Sequence, residues 1–245
     1  MYKRVVIIGV LVVGFLLALS PFAKMAAKRA LHYAYHSSQK QYTVAQRLEQ
    51  YGEPARKRWA PAFEAAAVAY PPRSIVLVGF KQEKRLDVIA GPEGGPLRFI
   101  RSYPILAASG GPGPKLREGD RQVPEGIYRI ESLNPNSLYH LSLRVSYPNE
   151  FDRKVAAQEG RDDLGGDIMI HGSDSSVGCL AMGDEAAEDL FVLAADAGLK
   201  NIKVVLTPVD FRTHDLPQMT SALPAWTGEL YSGIKSELAA MPMPR

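Results

Sequence analysis

The sequence predicts a β-rich α+β protein, a sandwich or barrel of short strands preceded by N-terminal helices. Three observations carry that expectation. From Pro72 onward, short runs rich in Val, Ile, Leu and Tyr recur between Gly and Pro punctuation, which is the texture of strands and turns. Before Pro72 the chain is rich in Ala, Arg and Gln, with apolar residues at helical spacing. A single amphipathic Ala- and Leu-rich run interrupts the strand pattern after residue 183.

The elements follow in order. Val44, Leu48 and Tyr51 stand at i, i+4 and i+7, and Gly52 with Pro54 is expected to end that helix. A second helix is expected over 55–69, closed by Tyr70-Pro71-Pro72. Residues 24–71 thus read as a helical spacer. Strands are expected over 74–79, 85–90, 97–103, 126–131, 139–145, 167–171 and 202–206. Residues 110–114 (GGPGP) and 134–137 (NPNS) read as loops between them. Seven short strands with such turns fit a sandwich or barrel over 72–208. Asp184 is placed to cap the interrupting helix, which runs to Ala197 with Gly198 at its C′ position. Residues 209–245 form a C-terminal extension with one short helix near 226–239.

The first residues read as an export signal. Lys3 and Arg4 precede an unbroken apolar run from Val5 to Leu19. That run has the length of a secretory signal core and is short of the roughly 20 residues a membrane span needs. Residues 1–23 are therefore a signal peptide or a signal anchor. Pro21 follows the best cleavage position, Ala18-Leu19-Ser20, and favours the anchor. This places the protein in the periplasm or cell envelope, against the inner membrane. A hydrophobic content of 46% with 22% charged residues excludes wholesale disorder. A net charge of +3, scattered along the chain, gives no reason to expect nucleic acid as a partner.

The chemistry concentrates in 167–182, DIMIHGSDSSVGCLAM. The strand delivers His171 to its end, Gly172 permits a sharp turn, and a polar loop returns to Gly178 and Cys179. Cys179 is the only cysteine, so no intramolecular disulfide is possible and no second thiol can resolve a mixed one. A thiol shortly before a helix start is expected to have a depressed pKa, and an imidazole beside it can take its proton. Zinc needs three or four ligands. Only His140 and His214 could join His171 and Cys179, with no ligand spacing, so no metal and no cofactor is expected.

His171-Gly172 followed by Ser176-x-Gly178-Cys179 resembles the active-site signature of the YkuD-type L,D-transpeptidases. The stretches 113–128 (GPKLREGDRQVPEGIY) and 134–153 (NPNSLYHLSLRVSYPNEFDR) are similar to the YafK branch of that family. The resemblance covers roughly 72–208. It implies a YkuD-like catalytic domain in which Cys179 attacks an L,D-amide of a peptidoglycan stem peptide, typically at diaminopimelate. His171 then acts as base, and a thioester acyl-enzyme passes to water or an amine. It also implies oxyanion or orienting roles for Gly172, Ser173 and Gly178, with the Cys179 amide as a second oxyanion donor. Lys115, Asp120, Arg121, Tyr139 and Ser176 are the expected substrate-binding residues. Cross-linking members carry a second His where this chain has Val177 and an Arg where it has Ala181. That departure favours hydrolysis, including release of a wall-linked protein, over cross-linking. An inactive membrane-anchored wall-binding module is the alternative of another class.

Overall fold

The computed structural model describes residues 41–216 and 223–244, so the apolar run at 5–19 lies outside the described residues. From Tyr42 on, the chain forms one compact unit. Its frame is a mixed nine-stranded sheet: β1 (Ser74–Phe80), β2 (Arg85–Gly91), β3 (Arg98–Pro104), β4 (Ala107–Ala108), β5 (Gly126–Ser137), β6 (His140–Val145), β7 (Met169–His171), β8 (Leu180–Ala181) and β9 (Ile202–Thr207). The order across the sheet is β3-β2-β1-β9-β5-β6-β7-β8-β4. Its two end strands, β3 and β4, are joined by Ile105 and Leu106 alone. Two residues reach only about 7–10 Å beyond their neighbours, so the sheet must curl until its edges meet, as a barrel-like body requires. Ile105 and Leu106 fix the closure by donating their N–H groups to Lys84 O and Ala181 O at 2.8 Å each.

All seven expected strands are present, six of them with ends within two residues of expectation and β5 six residues longer than expected. The expected loop over 134–137 is instead the end of β5. Pro135 is tolerated because the β5–β6 register shifts between Asn134 and Ser137, sparing the ladder bond that proline cannot donate.

Helix α1 (Val44–Ala65) corrects the spacer reading. It starts on a capping box in which Thr43 and Gln46 each bond the other's backbone N–H. It runs unbroken through Pro54, where a break was expected, and through Pro61. An interior proline costs roughly 3 kcal/mol. Burial of Ala55, Trp59 and Phe63 offsets this, since the helix packs into the domain's own core. Trp59 Nε1 donates to Asp189 O at 2.9 Å, and Arg56 grips Asp196 with two bonds of 2.7 Å.

Helix α2 (Glu150–Gln158) was not anticipated, although Asn149 and Asp152 form a capping box at its start. Helix α3 (Asp184–Ala197) packs against α1 and the sheet, and α4 (Thr227–Ala239) contributes Leu230, Tyr231, Ile234 and Leu238 to a second apolar cluster with Val76, Val78 and Phe80 of β1. Both faces of β1 are therefore covered, which explains its continuous apolar run. Among the described residues no helix is long and apolar enough to cross a membrane.

Candidate active site

Strand register decides which side chains share a face. On β6 and β7, Ser142, Leu143 and Arg144 stand opposite His171, Ile170 and Met169. On β7 and β8, Ile170 and His171 are level with Leu180 and Ala181. Leu143, Ile170 and Leu180 point into the main core. The alternate set therefore occupies the other face: Ser142, Met169, His171 and Ala181, with Cys179 two residues before Ala181. The Met169 N–H donates to Cys179 Sγ at 3.4 Å, and the thiol donates to Asp167 O at 3.5 Å. His171 thus ends β7, and Cys179 immediately precedes β8, its sulfur bonded to the start of β7.

The His171 ring is 1% exposed. Its Nδ1 lies 2.6 Å from the Gly172 carbonyl oxygen. A carbonyl only accepts, so the proton sits on Nδ1 and Nε2 carries the free lone pair. Burial holds the imidazole pKa below its ordinary value, against the opposing pull of that carbonyl. The ring is neutral at pH 7 and suited to accept a proton at Nε2. Tyr139 stacks on it at 4.6 Å between centroids.

The turn after His171 is crowded. A Cβ on Gly172 would lie 2.6 Å from Asp184 Oδ1 and 2.8 Å from Tyr139 O, so only glycine fits. Ser173 has φ 62°. Its N–H donates to Asp184 Oδ1 at 2.8 Å, and its carbonyl accepts from Gly183 N at 2.9 Å. Asp184, expected as the helix cap, is the first residue of α3, and the cap position is Gly183 with no side-chain bond.

The loop carrying Cys179 differs from expectation in two respects. Gly178 has φ 82°, but its N–H donates to Ser109 Oγ at 2.5 Å. The Cys179 N–H donates to Ser176 Oγ at 3.0 Å, and that hydroxyl donates in turn to Cys179 O at 2.5 Å. Neither amide expected to face an oxyanion is free. Ser109, which sequence reasoning missed, is the partner that a loop 69 residues upstream supplies.

The thiol pKa is also raised and not lowered. Burial pushes it up, Asp167 adds to this, and the Met169 amide and Lys115 ammonium only partly oppose it. The helix effect is small because β8 and two further residues separate Cys179 from the first turn of α3, and the macrodipole acts mainly within that turn. Both shifts favour the neutral forms, thiol and imidazole. Alkylation of Cys179 by iodoacetamide is accordingly expected to be slow at pH 7 and to climb with pH past the ordinary thiol range. A rate already at its plateau below pH 7 would show a thiolate–imidazolium pair instead.

The expected substrate-binding residues divide. Lys115 Nζ donates to Asp120 Oδ1 at 2.7 Å and to Arg117 O at 2.8 Å. Asp120 also accepts from the N–H groups of Leu116, Arg117 and Gln122. These two side chains hold their own loop in shape. Arg121 is exposed with φ 58°, and its carbonyl accepts from Ser109 Oγ at 2.7 Å, which ties this turn to the Cys179 loop. Tyr139 and Ser176 touch His171 and Cys179 directly. His140 pairs with Glu188 at 3.0 Å and His214 lies against Asp210, so neither joins His171 and Cys179. Among the described residues no group of three His, Cys, Asp or Glu is placed to hold a metal.

A mixed sheet thus carries a thiol and a tautomer-fixed imidazole at the two sides of one short loop. The profile of the L,D-transpeptidase catalytic domain, YkuD, matches residues 77–209. The chain belongs to that family. It is 35% identical over 141 residues to YafK of Escherichia coli (strain K12), described as a candidate L,D-transpeptidase, covering 56% of this chain and 54% of that one. The chain thus spans about half the length of the curated relatives it matches. Among solved structures, it is similar to the helical cell shape determining protein Pgp2 from Campylobacter jejuni, at 25% identity over 54% of this chain and 47% of that one, TM-score 0.44. It is also similar to Mycobacterium tuberculosis L,D-transpeptidase 1, at 16% identity over 55% and 62%, TM-score 0.32.

Proposed function

We propose that the protein is a cysteine hydrolase of the cell envelope that cuts L,D-amide bonds at diaminopimelate in peptidoglycan stem peptides. The observation that carries the reading is the fixed tautomer of His171, which closes the strand whose first amide bonds the Cys179 sulfur. In the first step the thiol proton passes to His171 Nε2, Sγ bonds to the amide carbon, and the carbonyl electron pair moves to oxygen. When that pair returns, the C–N bond breaks and the leaving amine takes the proton from His171. Water then attacks the thioester carbon and gives a proton to the same imidazole; the C–S bond breaks, the stem peptide leaves with a new carboxyl group, and the Cys179 sulfur takes the proton back from His171. Residues 1–23 would export the domain or anchor it to the inner membrane, and a wall-linked protein is a further substrate of the same bond class.

Water is favoured as acceptor because an incoming amine needs groups that orient it and exclude water. Val177 is 69% exposed and Ala181 is fully buried beside His171, so neither offers a polar group for a second peptide. The full chain incubated with purified muropeptides is expected to cleave cross-linked dimers or protein-linked muropeptides, while monomers alone yield no new cross-links. Dimers accumulating from monomers would make the enzyme a transpeptidase. No product of either kind, with Cys179 intact, would leave the wall-binding reading.

A further inference from the structure

The Gly172–Ser173 peptide group is held at both ends. Its carbonyl accepts from His171 Nδ1 at 2.6 Å, and its N–H donates to Asp184 Oδ1 at 2.8 Å. The two bonds lie on one rigid plane, because the peptide unit does not twist. Whatever fixes the N–H therefore fixes the direction of the carbonyl. No side chain is available to Gly172 for holding the turn, since a Cβ there would collide with Asp184 Oδ1, Tyr139 O and the His140 Cβ. Asp184 is also not engaged in capping its own helix. A residue type that ordinarily bonds the N–H groups of its helix start reaches back instead to the turn beside His171.

We propose that Asp184 is a positioning residue for His171, acting through the Gly172–Ser173 peptide as a carboxylate–peptide–imidazole relay. The carboxylate does two things. It locks the plane so that the carbonyl faces Nδ1, which keeps the proton there and leaves Nε2 as the base. It also polarises the peptide, since a negative charge at the N–H makes the carbonyl a stronger acceptor and favours the imidazolium that forms when His171 takes the thiol proton. The arrangement gives the imidazole what an adjacent aspartate gives in a serine-type triad, with one peptide group interposed. This role rests on His171 acting as the base, but its structural half can be read without any turnover.

The test compares Asp184→Ala with Asp184→Asn in the full chain. Ring nitrogen NMR of His171 reports the tautomer directly. Asp184→Ala is expected to populate the Nε2–H form and to lower kcat on the order of tenfold or more, with KM little changed; a direct aspartate–histidine contact is worth far more. Asp184→Asn keeps an acceptor for the Ser173 N–H and is expected to restore the Nδ1–H tautomer and part of the rate, the remaining deficit reporting the lost charge. An unchanged tautomer in Asp184→Ala overturns the relay, whatever the rate does. A tautomer shift shared equally by both variants, in step with a lowered Tm, overturns it in favour of a merely structural helix start. If the unaltered protein cleaves no muropeptide, the proposed function falls while the tautomer measurement still decides the role of Asp184.

Discussion

Cys179→Ala is expected to abolish turnover, with a loss on the order of a thousandfold or more, and to leave the thermal midpoint nearly unchanged. The side chain is half-buried and bonds only Met169 N and Asp167 O at long distances, so deleting it removes chemistry and little packing. His171 differs because its ring is buried beneath Tyr139. His171→Ala would leave a void and confuse lost catalysis with lost stability. His171→Gln fills most of the volume, cannot act as a base, and should match Cys179→Ala in activity. Nucleophile and base act as one unit, so the double variant should be little worse than either single one. Steady-state cleavage of muropeptides by all three, with melting curves alongside, makes the comparison. Substantial turnover by Cys179→Ala would end the thioester mechanism.

What the sequence disclosed, and what it hid, follows from how local each determinant is. Strands were legible because each carries its own apolar run between turn residues, as in 74–80 and 202–207. The placing of His171 and Cys179 at the two sides of one short loop was legible for the same reason. The course of α1 through Pro54 was not, because the compensation comes from Trp59 and Arg56 meeting residues more than a hundred positions away. The thiol pKa was misjudged because burial, which no local spacing reveals, outweighs a helix start that is close in sequence. The engaged amides of Gly178 and Cys179 depend in part on Ser109, whose loop meets the site only after the sheet has curled. Asp184 was visible as a capping residue, but which N–H it would bond depended on a turn at Gly172 that a sequence does not orient.

The largest stability effect is expected at Glu125, to which the sequence assigns no role. Its carboxylate is fully buried at the start of β5. Oε1 accepts from Lys81 Nζ at 2.8 Å and from Gly113 N at 2.9 Å, and Oε2 accepts from the Tyr231 hydroxyl at 2.7 Å. Lys81 spends its remaining protons on Gly113 O at 3.0 Å and Val123 O at 2.9 Å. One buried ion pair thus fastens the Gly-Pro loop, the entry to β5 and helix α4 together. Through the loop it also steadies Ser109, the partner of the Gly178 amide. Glu125→Ala strands the Lys81 ammonium in the interior with the Gly113 N–H and the Tyr231 hydroxyl unpaired, and is expected to cost about 3–5 kcal/mol. Lys81→Met strands the carboxylate instead and should cost a similar amount. The double variant Lys81→Met/Glu125→Gln removes both charges while keeping an acceptor for Tyr231. Its cost should fall well short of the sum of the Lys81→Met and Glu125→Gln single effects, by on the order of 1–3 kcal/mol. Urea unfolding of the full chain with those two singles and the double gives the coupling. Strict additivity, or a Glu125→Ala cost below about 1 kcal/mol, would mean that solvent reaches the pair and that α4 is held to the sheet by its apolar face alone.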